Sequence, residues 1–367
     1  MARPAGASDS PPTTIVTTTS PTSALPGSLP CTRVVVVGAP GSGETTTSSQ
    51  ARRTDLLGAT VDHLYRALAA DPRLDHPEAL SLTASLGGAP PTYDAPPVPG
   101  VDAGSSAWAL YVSDVLAAGP SVLAAIARVA TSCPTSRLIL VGYSQGAAVL
   151  HEALATMTTH DTTDVATNLT GRALARHVAG VVLVADPYAQ PSDHHLLGEG
   201  GAARWDVTGP QAYGLIPLEV ALAGVGAVPD LGPAAVGALK GSIAALTRAL
   251  ALGCPSLPLV GRVGPTCGAQ RSFAAGLSAL RALATLVRSG TGRSELETVL
   301  AHGYLISSAT LATRLGVPVW SATAAGDLVA EPLGTTALSA TRFSALVHTS
   351  AYRADPVLAR SVVAALG

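Results

Sequence analysis

Two stretches of this chain carry apolar residues without a break: Arg33–Gly38 reads RVVVVG and Arg137–Tyr143 reads RLILVGY. A strand with one face in water alternates apolar and polar side chains. A run without alternation has to be covered on both faces, which is the condition of a parallel strand between layers of helix. Val178–Ala185 and Val317–Ala322 have the same character. Helical stretches separate these runs: Leu56–Ala70, stopped by Pro72; Trp108–Ala130, with a kink expected at Gly119-Pro120; and Gly146–Thr158. Strands that alternate with helices predict an α/β fold with a mostly parallel central sheet.

The 367 residues are 47% hydrophobic and 13% charged, with 22 basic against 24 acidic side chains and a formal net charge of −2. Such a chain can bury a large core, which excludes intrinsic disorder as its main state. It has no basic excess with which to neutralise phosphates, so nucleic acid is not an expected partner. Lys240 is the only lysine. Residues 1–30 are rich in Thr, Ser, Pro and Ala and lack an apolar stretch of signal-peptide type, so they read as a disordered lead-in to a domain at 31–367. No apolar run is long enough to span a bilayer. The third and fourth recognised strands are separated by a long segment whose core, about residues 217–315, has no strand signal. It offers three helical runs, Ala234–Leu252, Ser272–Arg288 and Ser294–Leu315. It is too long for a loop and is expected to be a helical insertion, either a lid or a structural subdomain. Cys31, Cys133, Cys254 and Cys267 make an even set that fits two disulfides.

The strand at Arg137–Tyr143 runs directly into Gly142-Tyr143-Ser144-Gln145-Gly146 and then a helix. The pattern G-x-S-x-G between a buried strand and a helix is the context of a nucleophile elbow, in which a tight turn lifts a serine hydroxyl out of the sheet. A serine nucleophile needs a base and an acid that orients it, in the chain order serine, acid, histidine. Of the nine histidines, only His302 and His348 lie far enough toward the C-terminus; His302 sits within a helical run, so His348, in a loop-like segment, is the preferred base. Asp186 and Asp327 both follow strands. Asp327, after the last recognised strand and 21 residues before His348, is the preferred acid, and Asp186 the one expected to cap a strand end. The loop Gly38–Thr45 nearly fits a phosphate-binding loop, but Glu44 stands where that motif needs lysine, and a carboxylate there repels phosphate. Its small residues suit an oxyanion hole instead, with the Ser42 hydroxyl as an added donor. His194-His195 with Asp193 read as solvated residues rather than a metal site, and no metal or organic cofactor is expected.

These segments together resemble the cutinase family of serine esterases, and its actinobacterial branch in particular. The resemblance rests on VVVVGAPGSGE at Val34–Glu44, Cys133-Pro134, GYSQG at Gly142–Gly146, GVVLVADP at Gly180–Pro187, AGDLV at Ala325–Val329, and His348 with Tyr352. It implies an α/β-hydrolase sandwich and a triad of Ser144, Asp327 and His348. It also implies an oxyanion hole from Ser42 and the Gln145 N–H, and a Cys31–Cys133 disulfide. The expected activity is hydrolysis of carboxylic esters of lipid or polyester substrates by a secreted or cell-envelope monomer, with cell-envelope lipids as further candidates for binding. Alternatives are a mycolyl-ester hydrolase or acyltransferase of the actinobacterial cell envelope, and a catalytically weak binding protein; the chain also resembles, more distantly, phage lysins that cleave mycolate esters. Two features depart from the family pattern. Thr323 and Ala330 stand where relatives carry a cysteine pair around the acid, and compact cutinases lack the insertion, within which Cys254 and Cys267 would pair.

Overall fold

The computed structural model describes residues 29, 31–44, 56–84, 92–93, 95, 104–159, 171–190, 193, 196, 306–324, 327, 330, 348 and 351–366. The lead-in expected at 1–30, apart from Leu29, the helical runs Ala234–Leu252 and Ser272–Arg288, and His194, His195, His302, Cys254 and Cys267 lie outside these residues.

Among the described residues five strands form one parallel sheet: β1 (Val34–Ala39), β2 (Glu78–Ser81), β3 (Arg137–Tyr143), β4 (Val178–Val184) and β5 (Val319–Ala322), in the order β2-β1-β3-β4-β5. The helices are α1 (Gly58–Ala69), α2 (Gly104–Ser132), α3 (Gln145–Thr159), α4 (Gly171–Ala175), α5 (Ser308–Leu315) and α6 (Pro356–Leu366). The unbroken apolar runs are what a sheet covered on both sides requires. Val35, Val37, Leu138, Leu140, Val181, Leu183 and Val319 point into a core shared with Val122 and Ile126 of α2, Leu150 and Leu154 of α3, and Leu311 of α5. The alternate residues, Val34, Val36, Ile139, Val141, Val182 and Val184, meet Leu64 and Leu68 of α1 and Leu358 and Val362 of α6 on the opposite face. Period-2 geometry thus splits each run between two cores, and the predicted α/β sandwich is the observed fold.

The chain passes from β1 to β2 through α1, and from β2 to β3 through α2 on the other face. Strand β1 thus connects onward to one side of the sheet and β3, through α3, to the other, so the C-terminal ends of β1 and β3 flank the crevice where open parallel sheets bind ligands. Cys31, just before β1, is bonded to Cys133, just before β3, across 102 residues, which ties the entrances of these two neighbouring strands.

Several elements differ from expectation, the five-residue α4 among them, which has no signal in the sequence. Strand β2 has no signal in the sequence, because its four residues, EALS, are too few to show a period. The C-terminal helix α6 was also missed, although Asp355 caps it by accepting the N–H groups of Val357 and Leu358, with Pro356 at its first turn. The run Ser294–Leu315 is not one continuous helix: Ser307 takes extended backbone angles and its hydroxyl accepts the Thr310 N–H, starting α5 afresh. This helix packs in the α2–α3 layer and delivers the chain to β5 as a crossover of the sheet itself. Helix α2 continues through Pro120.

Candidate active site

Ser144 occupies the turn between β3 and α3 with φ +52°, a left-handed conformation that a side chain adopts only under constraint. The constraint is visible on both sides. A Cβ at Gly142 would sit 2.7 Å from the Ala147 Cα, and one at Gly146 would sit 2.0 Å from the Ala39 carbonyl oxygen. Both positions must therefore be glycine for β1, β3 and α3 to approach this closely. The Ser144 N–H donates to the Val184 carbonyl and its own carbonyl accepts the Ala148 N–H, so the strained residue is pinned to β4 and to its own helix. The Ser144 side chain rises from the sheet at the start of α3, where the N–H groups of the first turn have no partner within the helix.

The structure brings together the three residues singled out from the sequence. Ser144 Oγ lies 2.7 Å from His348 Nε2, and His348 Nδ1 lies 3.0 and 3.1 Å from the two oxygens of Asp327. Asp327 is fully buried; its Oδ1 accepts the Ala330 N–H at 3.2 Å and its Oδ2 accepts the Tyr352 hydroxyl at 2.5 Å. With both Asp327 oxygens facing Nδ1, the proton belongs on Nδ1 and Nε2 is left to accept from the serine. The Tyr143 ring stacks on the His348 imidazole at 5.6 Å, and its hydroxyl donates to the His348 carbonyl at 2.5 Å. Burial pushes the Tyr143 and Tyr352 phenols well above 10, with Glu44 and Asp327 respectively adding to the effect, so both remain donors. Their roles were not legible in the sequence, where the only sign was an aromatic at the variable position of G-x-S-x-G and another four residues past the histidine.

Ser42, on the loop after β1, donates its hydroxyl to Gln145 Oε1 at 2.9 Å. This joins the two residues expected to form the oxyanion hole across the crevice between β1 and β3. Glu44, which spoils the phosphate-loop pattern, is a brace for that loop. Its Oε2 accepts the Gly41 N–H at 3.1 Å, and its Oε1 accepts the Thr60 N–H and hydroxyl at 3.3 and 3.0 Å. The carboxylate therefore takes, from within the chain, the Gly41 N–H of that loop and ties the loop to α1. Burial raises the Glu44 carboxyl, against the lowering effect of those hydrogen bonds.

Asp186 lies away from His348 and forms a second buried pair, with His151 of α3. His151 Nδ1 is 2.8 Å from Asp186 Oδ2, and Nε2 is 2.7 Å from the Ile306 carbonyl. Asp186 Oδ1 accepts the Tyr188 N–H, and the Tyr188 ring stacks on His151 at 4.8 Å. Burial opposes the imidazolium most strongly of any single effect, but the charge and hydrogen bond of Asp186, the Asp193 charge and the Ile306 carbonyl together outweigh it and His151 is lifted to about 9. Asp193 closes the cluster by accepting the Gln190 and Ser308 N–H groups, each at 2.8 Å. Asp186 thus does more than end a strand, and Asp193 is buried in backbone hydrogen bonds. Among the described residues no group of three or more metal-capable side chains converges. Thr323, Ala330 and Asp327 are all buried, and the loop that carries the acid is held by the Ala330 N–H and by Tyr352. Among the described residues, no helix is long and apolar enough to cross a membrane.

A parallel sheet covered on both faces, with a strained serine on the turn after its central strand, defines the α/β-hydrolase fold. Residues 98–200 match the sequence profile of the cutinase family. That span contains Ser144 and Gln145 but not Ser42, Asp327 or His348. Among solved structures, the chain is similar to a protein described as a novel cutinase-like protein from Cryptococcus sp., at 19% identity and a TM-score of 0.27, over 45% of this chain and 56% of that one. It is also similar to an acetyl xylan esterase, at 19% identity and a TM-score of 0.29, over 45% of this chain and 69% of that one. The match thus spans little more than half the length of the first of these. No curated protein matches the chain.

Proposed function

We propose that the protein is a serine hydrolase that cleaves carboxylic esters through an acyl-enzyme on Ser144. The observation that carries this is the unbroken hydrogen-bonded line from Ser144 Oγ through His348 to the buried Asp327. The match of residues 98–200 to the cutinase family supports ester rather than amide chemistry.

In this mechanism Ser144 Oγ attacks the ester carbonyl carbon and its proton passes to His348 Nε2. Asp327 stabilises the imidazolium that results, and the negative oxygen of the tetrahedral adduct faces the N–H of Gln145 and the Ser42 hydroxyl, which turns from Gln145 Oε1 toward it. Collapse expels the alcohol, which takes the proton from His348. Water then attacks the acyl-enzyme with His348 again as base, releasing the acid and restoring Ser144. All of this uses groups supplied by the chain.

The substrate class we propose is lipid or polyester esters, supported by the cutinase match and by the apolar composition of residues 217–315. Secretion or a cell-envelope location is supported by the Cys31–Cys133 bond, because disulfides persist in oxidising compartments. The test is a rate series on p-nitrophenyl esters from acetyl to palmitoyl, with wild type beside Ser144→Ala, together with labelling by a fluorophosphonate probe. Turnover and labelling in wild type and neither in the variant are expected. Equal turnover in both would overturn the assignment of Ser144. No turnover and no label in wild type would leave a binding protein on this fold.

A further inference from the structure

The loop carrying Asp327 has no covalent staple among the described residues, yet the acid of such a relay has to be held to a few tenths of an ångström. What holds it is a side chain from beyond His348. Tyr352 is fully buried in front of α6, and its hydroxyl makes two bonds at once. It accepts the Ala324 N–H at 2.8 Å, just after β5, and donates to Asp327 Oδ2 at 2.5 Å. One oxygen atom therefore links the end of β5 to the carboxylate. Its ring packs on Tyr143 at 5.9 Å, and Tyr143 in turn stacks on His348 and donates to the His348 carbonyl. Acid and base are gripped from behind by two tyrosines in contact with each other.

Resting on the reading of Ser144, His348 and Asp327 as a catalytic triad, we propose that Tyr352 is a positioning residue for the acid and tunes the strength of its hold on His348. The phenol does this in two ways. As a strut between Ala324 and Oδ2 it fixes the direction in which Asp327 presents its oxygens to His348 Nδ1. As a donor it draws charge out of the carboxylate, which weakens the attraction between Asp327 and the imidazolium. A packing role would require the ring only; a positioning role requires the hydroxyl.

The experiment compares wild type, Tyr352→Phe and a chain carrying 3-fluorotyrosine at position 352, each assayed on one p-nitrophenyl ester from pH 5 to 9, with Ser144→Ala as the control. Tyr352→Phe keeps the ring and loses the donor. It is expected to lower kcat on the order of 10-fold with KM little changed, since the relay matters most as charge develops on His348. The acidic limb of the rate profile is expected to move to higher pH, because Asp327 without the phenol holds the imidazolium more tightly. Fluorotyrosine is a stronger donor in the same space, so it is expected to move that limb to lower pH. Opposite movements of the acidic limb establish the role. A Tyr352→Phe enzyme with the wild-type kcat and acidic limb overturns it. Should Tyr352→Phe fail to fold, the fluorotyrosine limb alone decides, and an unshifted limb there refutes the proposal. Failure of the triad itself is recognised separately, as full activity in Ser144→Ala.

Discussion

The buried pair of His151 and Asp186 gives the protein a pH dependence of stability that can be worked out in advance. The perturbation is His151→Asn, whose amide still reaches toward Asp186 but carries no titratable group and cannot reach the Ile306 carbonyl. The groups facing His151 are Asp186 and Asp193, with Tyr188 stacked on its ring and Glu152 bonded to the Tyr188 hydroxyl. Burial alone would drive the proton off His151; Asp186, by charge and hydrogen bond, acts with the Asp193 charge and the Ile306 carbonyl to outweigh this and carry its pKa from 6.5 to about 9. Between those values the folded chain holds more protons than the unfolded one, so stability falls as pH rises. At about 1.4 kcal/mol for each pH unit of separation, the contribution is roughly 3 kcal/mol, complete below about pH 6.5 and gone above about pH 9. Asp193, raised by burial from 3.8 to about 6, gives its own fall between those values, over before the His151 window opens.

The assay is guanidinium unfolding followed by far-ultraviolet circular dichroism, with the disulfide intact, at intervals from pH 6 to 9.5. Wild type is expected to lose about 3 kcal/mol over the interval. The variant is expected to be less stable than wild type by a similar amount at pH 6, and to match it within about 1 kcal/mol at pH 9.5. A stability difference that stays constant across the range would refute the reasoning, because it would show that His151 titrates alike in the folded and unfolded chains.

Further outcomes follow from other contacts. Ser42→Ala removes the hydroxyl expected at the oxyanion, and kcat on p-nitrophenyl esters should fall about 10²–10³-fold, with the circular dichroism spectrum unchanged. Glu44→Lys would place an ammonium where Gly41 and Thr60 present hydrogen-bond donors. It should cost about 3 kcal/mol or more in unfolding measurements and, against the phosphate-loop pattern it restores, calorimetry should show no binding of magnesium–ATP. Cys133→Ala opens a link across 102 residues, and guanidinium unfolding should report a loss of about 4–5 kcal/mol.

Much of this architecture could be read from the chain because it is written in local patterns. Val34–Val37 and Leu138–Val141 are apolar without alternation only because each strand feeds two cores. Gly142 and Gly146 flank Ser144 because neighbouring backbone fills the space a side chain would need, and that requirement survives in the sequence as a spacing. Asp327 and His348 could be ordered by their distance from the last strong strand. The missed features depend on partners far along the chain. Tyr143 meets His348 across 205 residues, and His151 meets Ile306 across 155. No period or motif in a single chain marks such pairs. Strand β2 escaped because its position is set by pairing with β1 rather than by its own four residues.

The Asp193–Ser308 hydrogen bond joins residues 115 apart, and His151 clasps the Ile306 carbonyl beside it. The backbone after β4 and the entry to α5 are therefore fastened to each other, far apart in sequence though they are. The entropy of closing such a loop grows only logarithmically with its length, so these two contacts would cost nearly the same with many fewer or many more residues between them.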